Sequence, residues 1–363
     1  MTTITDFIVR RDQLNDCWFE ERKVADALAS GAALLKVDRF ALTANNITYA
    51  VFGEAMSYWN FFPADHESNE WGRIPVWGYA DVVASAVSDL PEGERVYGYL
   101  PMSTHLIIQP DRLSRGSFID ASPHRRNLPP VYNQYLRVNS EATYRVELEP
   151  WQMLFRPLFM TSFLIEDFLQ DNNFFGADQI LLSSASSKTS FGLAFCLKRN
   201  ASKSLRVIGL TSPGNRAFVE SLGCYDEVFE YSAVTSVPDR PGVYVDMAGD
   251  GVLTRQLHEH LDNNMKYSCV VGDTHWETTS IDTNIPGAKP EFFFAPSQIE
   301  KRNVDWGPGG VEKHFDENWQ DFLTWVTDKI HITEGRGREA IREVYLAVLE
   351  GRSRPDEGHI LGF

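Results

Sequence analysis

A run of small hydroxyl residues in the second half of the chain has the spacing of a phosphate-binding loop. Ser184, Ser187 and Ser190 stand at the three glycine positions of a Gly-x-x-Gly-x-x-Gly pattern, shortly after the apolar stretch ILL. Glycine there permits a tight turn and lets backbone N–H groups approach a pyrophosphate; serine is small and can donate to phosphate oxygens. Lys188 and Thr189 supply a cation and another donor where a helix is predicted to begin. The pattern predicts a serine version of the dinucleotide loop.

Two other kinds of loop have sequences similar to this one. An ordinary strand-to-helix turn, with serines that cap the helix in a protein that has lost its cofactor, fits the same residues. The segment SSKTS also has the form of the end of a nucleoside-triphosphate loop, but the glycine that opens that motif is missing. We therefore exclude the triphosphate loop and keep the capped turn as the alternative.

The predicted second strand, LRVIGLTS, ends in residues that bear on the choice of nucleotide. Folds that select NAD place Asp or Glu at this point to hold the ribose hydroxyls. Residues 211–216 contain no acid, and their Thr211, Ser212 and Arg216 suit the 2′-phosphate of NADP(H). A surface turn with one solvated arginine is the alternative. We expect NADP(H) to be the cofactor.

Alternating strands and helices frame both segments. From Gln179 onward, short apolar runs alternate with helical stretches, which is typical of a parallel sheet covered on both faces. The six runs are QILLSS, LRVIGLTS, EVFEYS, GVYVDMAG, YSCVVGDT and EFFFAP. The first 150 residues instead hold short strand-like pieces between Gly, Pro and Asn-Asn breaks, which favours a partly antiparallel β domain. The predicted class is α/β, with a β-rich domain before a Rossmann-like doubly wound parallel sheet.

The order of these segments resembles the medium-chain dehydrogenase/reductase superfamily, in particular its zinc-free, quinone-reductase-like branch. The similar stretches, in the family's order, are VDRFALTANNIT, PVWGYADVVAS, PEGERVYGYL, VYNQYLRV, LTSPGNRAFVESLGCYDEV and REAIREVYLAVLEGRS. The resemblance implies a GroES-like catalytic domain formed by residues 1–155 and 330–363. It also implies a Rossmann-like NADP(H)-binding domain formed by residues 156–329, whose serine loop departs from the family's glycine loop.

The same resemblance implies a set of residues around a nicotinamide ring. The catalytic candidates are Asn45, Thr48, Tyr49, Thr161 and His275, and the cofactor contacts beside the ring are Asp273 and Thr274. Tyr49 is the best proton donor among them, because a buried phenol can donate to a developing enolate. Each candidate has a structural alternative: a turn residue for Asn45, a core aromatic for Tyr49, and a helix hydroxyl that bonds backward for Thr161.

We expect no bound metal. Zinc members of the superfamily carry a Gly-His-Glu triplet, and Gly78, Tyr79 and Ala80 stand in its place. The four cysteines lie far apart without a CxxC pair, which favours buried small side chains over a disulfide framework or a zinc site. His258 and His260 lie two residues apart on a predicted helix, so they point to different faces. Hydride transfer would then rely on hydrogen-bond donors to polarise the substrate.

Charge and composition restrict the partners. The formal net charge is −16, which argues against nucleic acid and anionic membranes. No apolar run approaches the roughly 18 to 20 residues of a membrane span, and the first residues lack the layout of a signal peptide; we expect a cytoplasmic protein. The basic pairs Arg125-Arg126 and Lys301-Arg302 are predicted to lie in solvated loops. The apolar segment EFFFAPSQ, as an edge strand, predicts a homodimer.

Three functions compete on this sequence. The first is a zinc-independent, NADP(H)-dependent oxidoreductase of a carbonyl, enone or quinone-type small molecule. The second is a nucleotide-binding or interaction protein on the same fold with little turnover, favoured by the serine loop and the lack of an evident acid/base pair. A methyltransferase on a related sheet would not explain the preceding β domain. Aromatic residues between positions 58 and 77 either line a cleft for an apolar substrate or pack in the core.

Overall fold

A computed structural model of the chain describes residues 1–66, 68–138, 144–200, 205–271 and 284–363. The chain divides into two compact units. The strand-rich unit comprises Met1–Leu154 and His331–Phe363, and the parallel-sheet unit comprises Phe155–Ile330. Within the described ranges, no helix is both long and apolar enough to span a membrane.

The strand-rich unit begins with ten strands and one helix. They are β1 (Thr2–Arg10), β2 (Gln13–Val24), β3 (Ala33–Leu42), α1 (Ala44–Val51), β4 (Trp71–Gly72), β5 (Pro75–Ser85), β6 (Arg95–Pro101), β7 (His105–Ile108), β8 (Pro110–Asp111), β9 (Ser117–Asp120) and β10 (Gln134–Arg137). Neighbouring strands approach closely where Gly78 of β5 faces β3: a Cβ there would lie 2.5 Å from the carbonyl oxygen of Arg39. A side chain at Gly78 would therefore clash with the β3 backbone.

The parallel-sheet unit alternates strands and helices, as the sequence predicts. After α2 (Glu149–Asp171), which begins in the preceding unit, come β11 (Gln179–Leu182), α3 (Lys188–Asn200), β12 (Arg206–Thr211), α4 (Arg216–Leu222), β13 (Glu227–Glu230), β14 (Gly242–Asp246), α5 (Gly251–Leu261), β15 (Met265–Val270), β16 (Pro290–Phe292), α6 (Ala295–Trp306) and α7 (Gly310–Val326). The strands are parallel and lie in the order β13-β12-β11-β14-β15-β16. Counted within the unit, this is 3-2-1-4-5-6, the order of a doubly wound dinucleotide-binding sheet. The predicted fold class is confirmed.

Local sequence explains the central elements of this sheet. β11 and β14 are buried at every residue, which accounts for their uninterrupted apolar sequences. On one side of the sheet, Leu181, Ile208 and Leu257 belong to a common buried cluster. Gly223 directly follows α4, and its φ of +70° lies in the left-handed region that is common at helix C-termini.

The chain then returns to the strand-rich unit through β17 (His331–Arg336), α8 (Arg338–Leu349) and β18 (Glu357–Gly362). β18 pairs with β3 in a sheet that runs β17-β18-β3-β5-β6-β10-β9-β8, with β7 also paired to β3. A separate sheet has the order β2-β1-β4. Ile341 and Tyr345 of α8 are fully buried in the main core of this unit. The last residues are therefore part of the first unit's core.

The prediction of solvated basic loops is wrong for Arg125 and Arg302. Arg125 is fully buried; its Nη1 donates to a carboxylate oxygen of Asp120 at 3.0 Å. Arg302 is 9% exposed, and its Nε donates to Asp167 at 2.7 Å. A buried arginine needs such a partner, because an uncompensated charge in the interior is strongly unfavourable. The partner comes from elsewhere in the sequence, so a basic pair alone does not reveal burial.

Candidate functional site

The candidate site lies at the carboxyl ends of the strands of the parallel-sheet unit. β11 pairs with β12 on one side and with β14 on the other, so the chain leaves β11 and β14 in opposite directions. In open parallel sheets, such a switch point opens a crevice outside the carboxyl ends of the two strands, where ligands bind. Ser183 follows β11 and Asp246 ends β14 at this point.

The serine loop has one residue in the left-handed region and hydrogen bonds between its own serines. Ser184, at the first glycine position, has a φ of +46°, in the left-handed region that favours glycine. Ser187 directly precedes α3, and its Oγ accepts from the backbone N–H of Ser190 at 3.3 Å. Ser190 is fully buried and donates from Oγ to the carbonyl of Ser183 at 3.1 Å. These hydrogen bonds agree with the alternative, a capped turn, and the dinucleotide loop stays a prediction. Lys188 and Thr189 form the first turn of α3.

Two tyrosines that the sequence interpretation missed form hydrogen bonds with the backbone of the serine loop. The Oη atom of Tyr231 accepts from the backbone N–H of Ser184 at 3.1 Å. The hydroxyl of Tyr225 donates to the carbonyl of Ala185 at 2.8 Å. Tyr231 directly follows β13, so the order of the sheet brings it to the same edge as the loop. The Ser184 N–H is therefore occupied by a phenol in this structure.

The end of β12 carries an unsatisfied hydroxyl. Thr211 is 1% exposed, and its buried Oγ1 has no hydrogen-bond partner within the described parts of the chain. Nearby, Asn215 donates from Nδ2 to Oγ of Ser186 at 3.0 Å, which links the β12 turn to the serine loop. Ser212 precedes the short 3₁₀ turn that leads into α4. A buried hydroxyl without a partner is uncommon in folded proteins.

Arg216 begins α4 and is bound by carboxylates. Its Nε donates to Glu220 at 2.8 Å, and its Nη1 lies 3.6 Å from a carboxylate oxygen of Glu230. Residues 211–216, at the end of the second strand, contain no acid themselves, but an acid comes from the third strand. Glu230, at the end of the third strand, is the register partner of Thr211. A strand-by-strand interpretation of the sequence misses this acid because it comes from the neighbouring strand.

The candidates near the start of the chain lie on a helix, α1, rather than in the predicted turn. The buried Tyr49 receives a 3.4 Å hydrogen bond from Nε1 of Trp77. Burial raises the pKa of Tyr49 well above its usual range, and hydrogen bonds from Trp77 and Asn45 offset the shift in part. Thr48 bonds backward to the carbonyl of Ala44 at 3.3 Å. Tyr49 and Asn45 are thus brought together, with the phenol protonated at neutral pH.

Three further expectations about this site have separate outcomes. Thr161 donates to the carbonyl of Pro157 in its own helix at 3.4 Å, as its structural alternative predicts. The aromatic segment is mainly core: its buried members are Tyr58, Trp59, Phe61 and Phe62. The predicted positions of Asp273, Thr274 and His275 lie outside the described residues.

The histidines of α5 face different surroundings, as predicted. His258 bonds to the carbonyl of Pro286 and to Oγ of Ser268, whereas His260 bonds to the carbonyl of Val237. Within the part of the chain that the structure describes, no three His, Cys, Asp or Glu side chains are grouped so that they could hold a metal ion.

The sequence model of a family described as "Protein of unknown function (DUF2855)" matches residues 40–354. The chain belongs to this family. A comparison with curated protein sequences finds no match.

Solved structures share the fold at low sequence identity. CurA from Vibrio vulnificus in complex with NADPH has 13% identity and a TM-score of 0.61, with 98% of each chain covered. A mutant form of enoyl thioester reductase from Candida tropicalis has 14% identity and a TM-score of 0.58, with 100% of each chain covered. The quinone oxidoreductase from Coxiella burnetii has 13% identity and a TM-score of 0.55, with 99% of each chain covered. These are medium-chain dehydrogenase/reductase proteins, and the chain has their fold, with GroES-like and Rossmann-like parts.

Proposed function

We propose that this protein is a zinc-independent, NADP(H)-dependent oxidoreductase of a carbonyl, enone or quinone-type small molecule. The observation that carries the proposal is the arrangement at the switch point of the parallel sheet. A loop with a left-handed residue at its first glycine position leads into α3. The neighbouring strand ends at Thr211, whose buried hydroxyl has no hydrogen-bond partner among the described residues. The similar fold of CurA, whose structure contains NADPH, supports the same cofactor.

In this proposal, residues 156–329 bind the cofactor. Ser184, Ser187, Lys188, Thr189 and Ser190 form the pyrophosphate loop, where the N-terminus of α3 favours a negatively charged group. When bound, the nicotinamide supplies or accepts a hydride.

The 2′-phosphate is assigned to the end of β12 and the start of α4. Thr211 and Ser212 donate hydroxyl hydrogen bonds, and Arg216 offers a planar fork that matches phosphate geometry. Arg216 must exchange at least one of its two carboxylate contacts for the phosphate. The affinity for NADP(H) therefore depends on the balance between these partners.

The catalytic role is assigned to the domain formed by residues 1–155 and 330–363, whose candidates are Asn45, Thr48 and Tyr49. Tyr49 donates the proton that accompanies hydride transfer, because its buried phenol stays protonated at neutral pH. Asn45 positions the Tyr49 hydroxyl, and Thr48 lies on the same helix. Without zinc, such hydrogen-bond donors polarise the substrate.

We further propose a cytoplasmic homodimer. Among the described residues, β16 is the last strand of its sheet, and the apolar Phe294 just beyond it is 45% exposed, which suits a contact with a second copy. Four buried, free cysteines are compatible with a reducing compartment.

The experiment is a turnover assay with a panel of enones, quinones and aldehydes. NADPH oxidation, followed at 340 nm, should be faster with at least one compound class than in the absence of substrate, and faster than with NADH. A protein that binds NADPH tightly but oxidises it with none of the panel would favour the alternative, a nucleotide-binding protein with little turnover. The phenol on the Ser184 N–H takes one loop donor away from a phosphate, which favours an interaction protein over a nucleotide-binding one within this alternative.

A further inference from the structure

A buried serine and a buried aspartate connect the two sides of the switch-point crevice. Ser183 is fully buried and Asp246 is 4% exposed. Their strands are neighbours, with Leu182 paired to Val245 in register. The Oγ of Ser183 donates to Oδ1 of Asp246 at 2.9 Å. This bond joins the loop that follows β11 to the turn that follows β14.

Asp246 also accepts hydrogen bonds from other groups beside the crevice. Its Oδ1 accepts from the backbone N–H groups of Ala248 at 2.9 Å and Gly249 at 3.0 Å. Its Oδ2 accepts from the hydroxyl of Thr254 in α5 at 3.2 Å. One carboxylate thus fixes the β14 turn, the first turns of α5 and, through Ser183, the serine loop.

Ser183 has a second role, as an acceptor. Its Oγ accepts from the backbone N–H groups of Met247 at 2.8 Å and Ala248 at 3.0 Å. Its carbonyl accepts from Oγ of Ser190, at the other end of the loop. Removal of the Ser183 hydroxyl would leave two backbone donors of the turn without this partner, and it would disconnect the turn from the loop.

The charge of Asp246 is satisfied by hydrogen bonds alone. Among the described residues, no lysine or arginine forms an ion pair with it, and its four donors are hydroxyl and backbone N–H groups. Burial of a carboxylate without a cation is unfavourable, and a core that needed only packing would be at least as stable with apolar side chains. The hydrogen bonds of the pair fix the geometry of the turn and of the loop, which apolar side chains would not do.

We propose that Ser183 and Asp246 are positioning residues that hold the dinucleotide loop in its binding shape before the cofactor arrives. This inference rests on the proposed function, since it concerns the same crevice. The pair acts through residues 184–190, which are assigned to the pyrophosphate. Because the pyrophosphate is common to NADPH and NADH, loss of the pair should weaken both nucleotides equally.

The test is calorimetric titration of the full-length protein with NADPH and with NADH, well below the unfolding temperature of each variant. Ser183→Ala should weaken the binding of both nucleotides by about tenfold and leave the ratio of their affinities unchanged. Ser183→Thr, which keeps the hydroxyl, should restore most of the lost affinity. Asp246→Asn, which keeps an oxygen acceptor, should give a smaller loss of the same kind. Ser268→Ala is the matched control, because Ser268 is also a fully buried serine of this sheet and bonds to His258 instead.

The outcomes separate the two proposals. A wild-type protein that binds neither nucleotide would contradict the proposed function and this inference together. A wild-type protein that binds NADPH, with Ser183→Ala and Ser268→Ala both at wild-type affinity, would contradict only the inference and leave a purely structural role for the pair. If Ser183→Ala does not fold, Asp246→Asn and Ser183→Thr serve as the test. The inference would be overturned if both variants bound NADPH and NADH as tightly as wild type while Asp246→Asn had a lowered unfolding temperature.

Discussion

Thr211 and Glu230 lie side by side, in register, at the carboxyl ends of β12 and β13. The buried hydroxyl of Thr211 has no hydrogen-bond partner among the described residues, while the Glu230 carboxylate lies 3.6 Å from the Arg216 guanidinium. A ribose 2′-hydroxyl would find an acceptor in Glu230, whereas a 2′-phosphate would meet a repelling charge unless Arg216 compensates it. We therefore expect these three residues to influence nucleotide selection in the proposed enzyme.

Glu230→Gln should shift selection toward NADPH. The substitution removes the negative charge but keeps the size of the side chain, and it releases Arg216 for the phosphate. We expect NADPH to bind roughly three- to tenfold more tightly and NADH to bind the same or more weakly. Fluorescence titration with both nucleotides measures the ratio, with Glu259→Gln, an exposed partner of Arg255, as the control. An unchanged ratio would mean that Glu230 does not adjoin the 2′ position.

Ser184→Gly should be tolerated by both fold and site. Ser184 has a left-handed backbone, which costs a residue with a Cβ on the order of 1 kcal/mol more than glycine. We expect the thermal stability to be unchanged or slightly higher and NADPH affinity to stay within about threefold of wild type. Ser184→Val, which is β-branched and poorly suited to this conformation, should lower both. Equal behaviour of the Gly and Val variants would exclude a special backbone role for this position.

Glu166→Gln should stabilise the protein at alkaline pH. Glu166 is 3% exposed, and burial raises its pKa to about 7. The folded state therefore favours the protonated acid, and the resulting stability is complete below the unfolded pKa and lost as the pH rises through about 7. The variant should be more stable than wild type at pH 8, by on the order of 3 kcal/mol, and nearly equal at pH 4.

Urea unfolding at pH 4, 6 and 8 measures this difference. Glu317→Gln, an exposed glutamate of α7, is the control and should show little pH-dependent difference from wild type. The difference in free energy of unfolding between wild type and Glu166→Gln should change with pH. The same difference at all three pH values would contradict a titration of Glu166 between pH 4 and pH 8.

Tyr49→Phe should lower turnover without weakening the cofactor. The substitution removes the phenolic hydroxyl but keeps the aromatic ring. The centroid of the Tyr49 ring lies 4.6 Å from that of Tyr58. Loss of a proton donor typically lowers the rate by about 10²- to 10⁴-fold. Single-turnover kinetics and NADPH titration separate the two effects, and Tyr58→Phe, in the same cluster, should keep most of the activity. Equal rate losses in both variants would indicate a packing effect.

The order of the elements and the loop could be predicted because each depends on local sequence. Continuous apolar runs identify the buried strands, and the serine spacing locates the loop that holds Ser184 in a left-handed conformation. Partners from distant segments could not be predicted. Asp246 meets Ser183 and Glu230 meets Arg216 only because the strand order brings their strand ends together.

The burial of Arg125 illustrates the same limit. Its sequence neighbours are basic and polar, which favours a solvated loop, yet Asp120, Asn133 and Tyr135 all bond to its guanidinium. The α1 candidates show a related effect: Asn46 rather than Asn45 accepts from the Thr43 backbone and caps the helix. A helix with its own cap replaced the turn that the resemblance implied.

Calorimetric titration of wild type and Arg216→Ala with NADPH and NADH measures whether the parallel-sheet unit binds NADP(H) through Arg216. Wild type should prefer NADPH. Arg216→Ala should weaken NADPH by about tenfold or more and leave NADH nearly unchanged, because only NADPH carries the 2′-phosphate. Equal losses for both nucleotides, a wild type that prefers NADH, or the absence of binding would contradict the account.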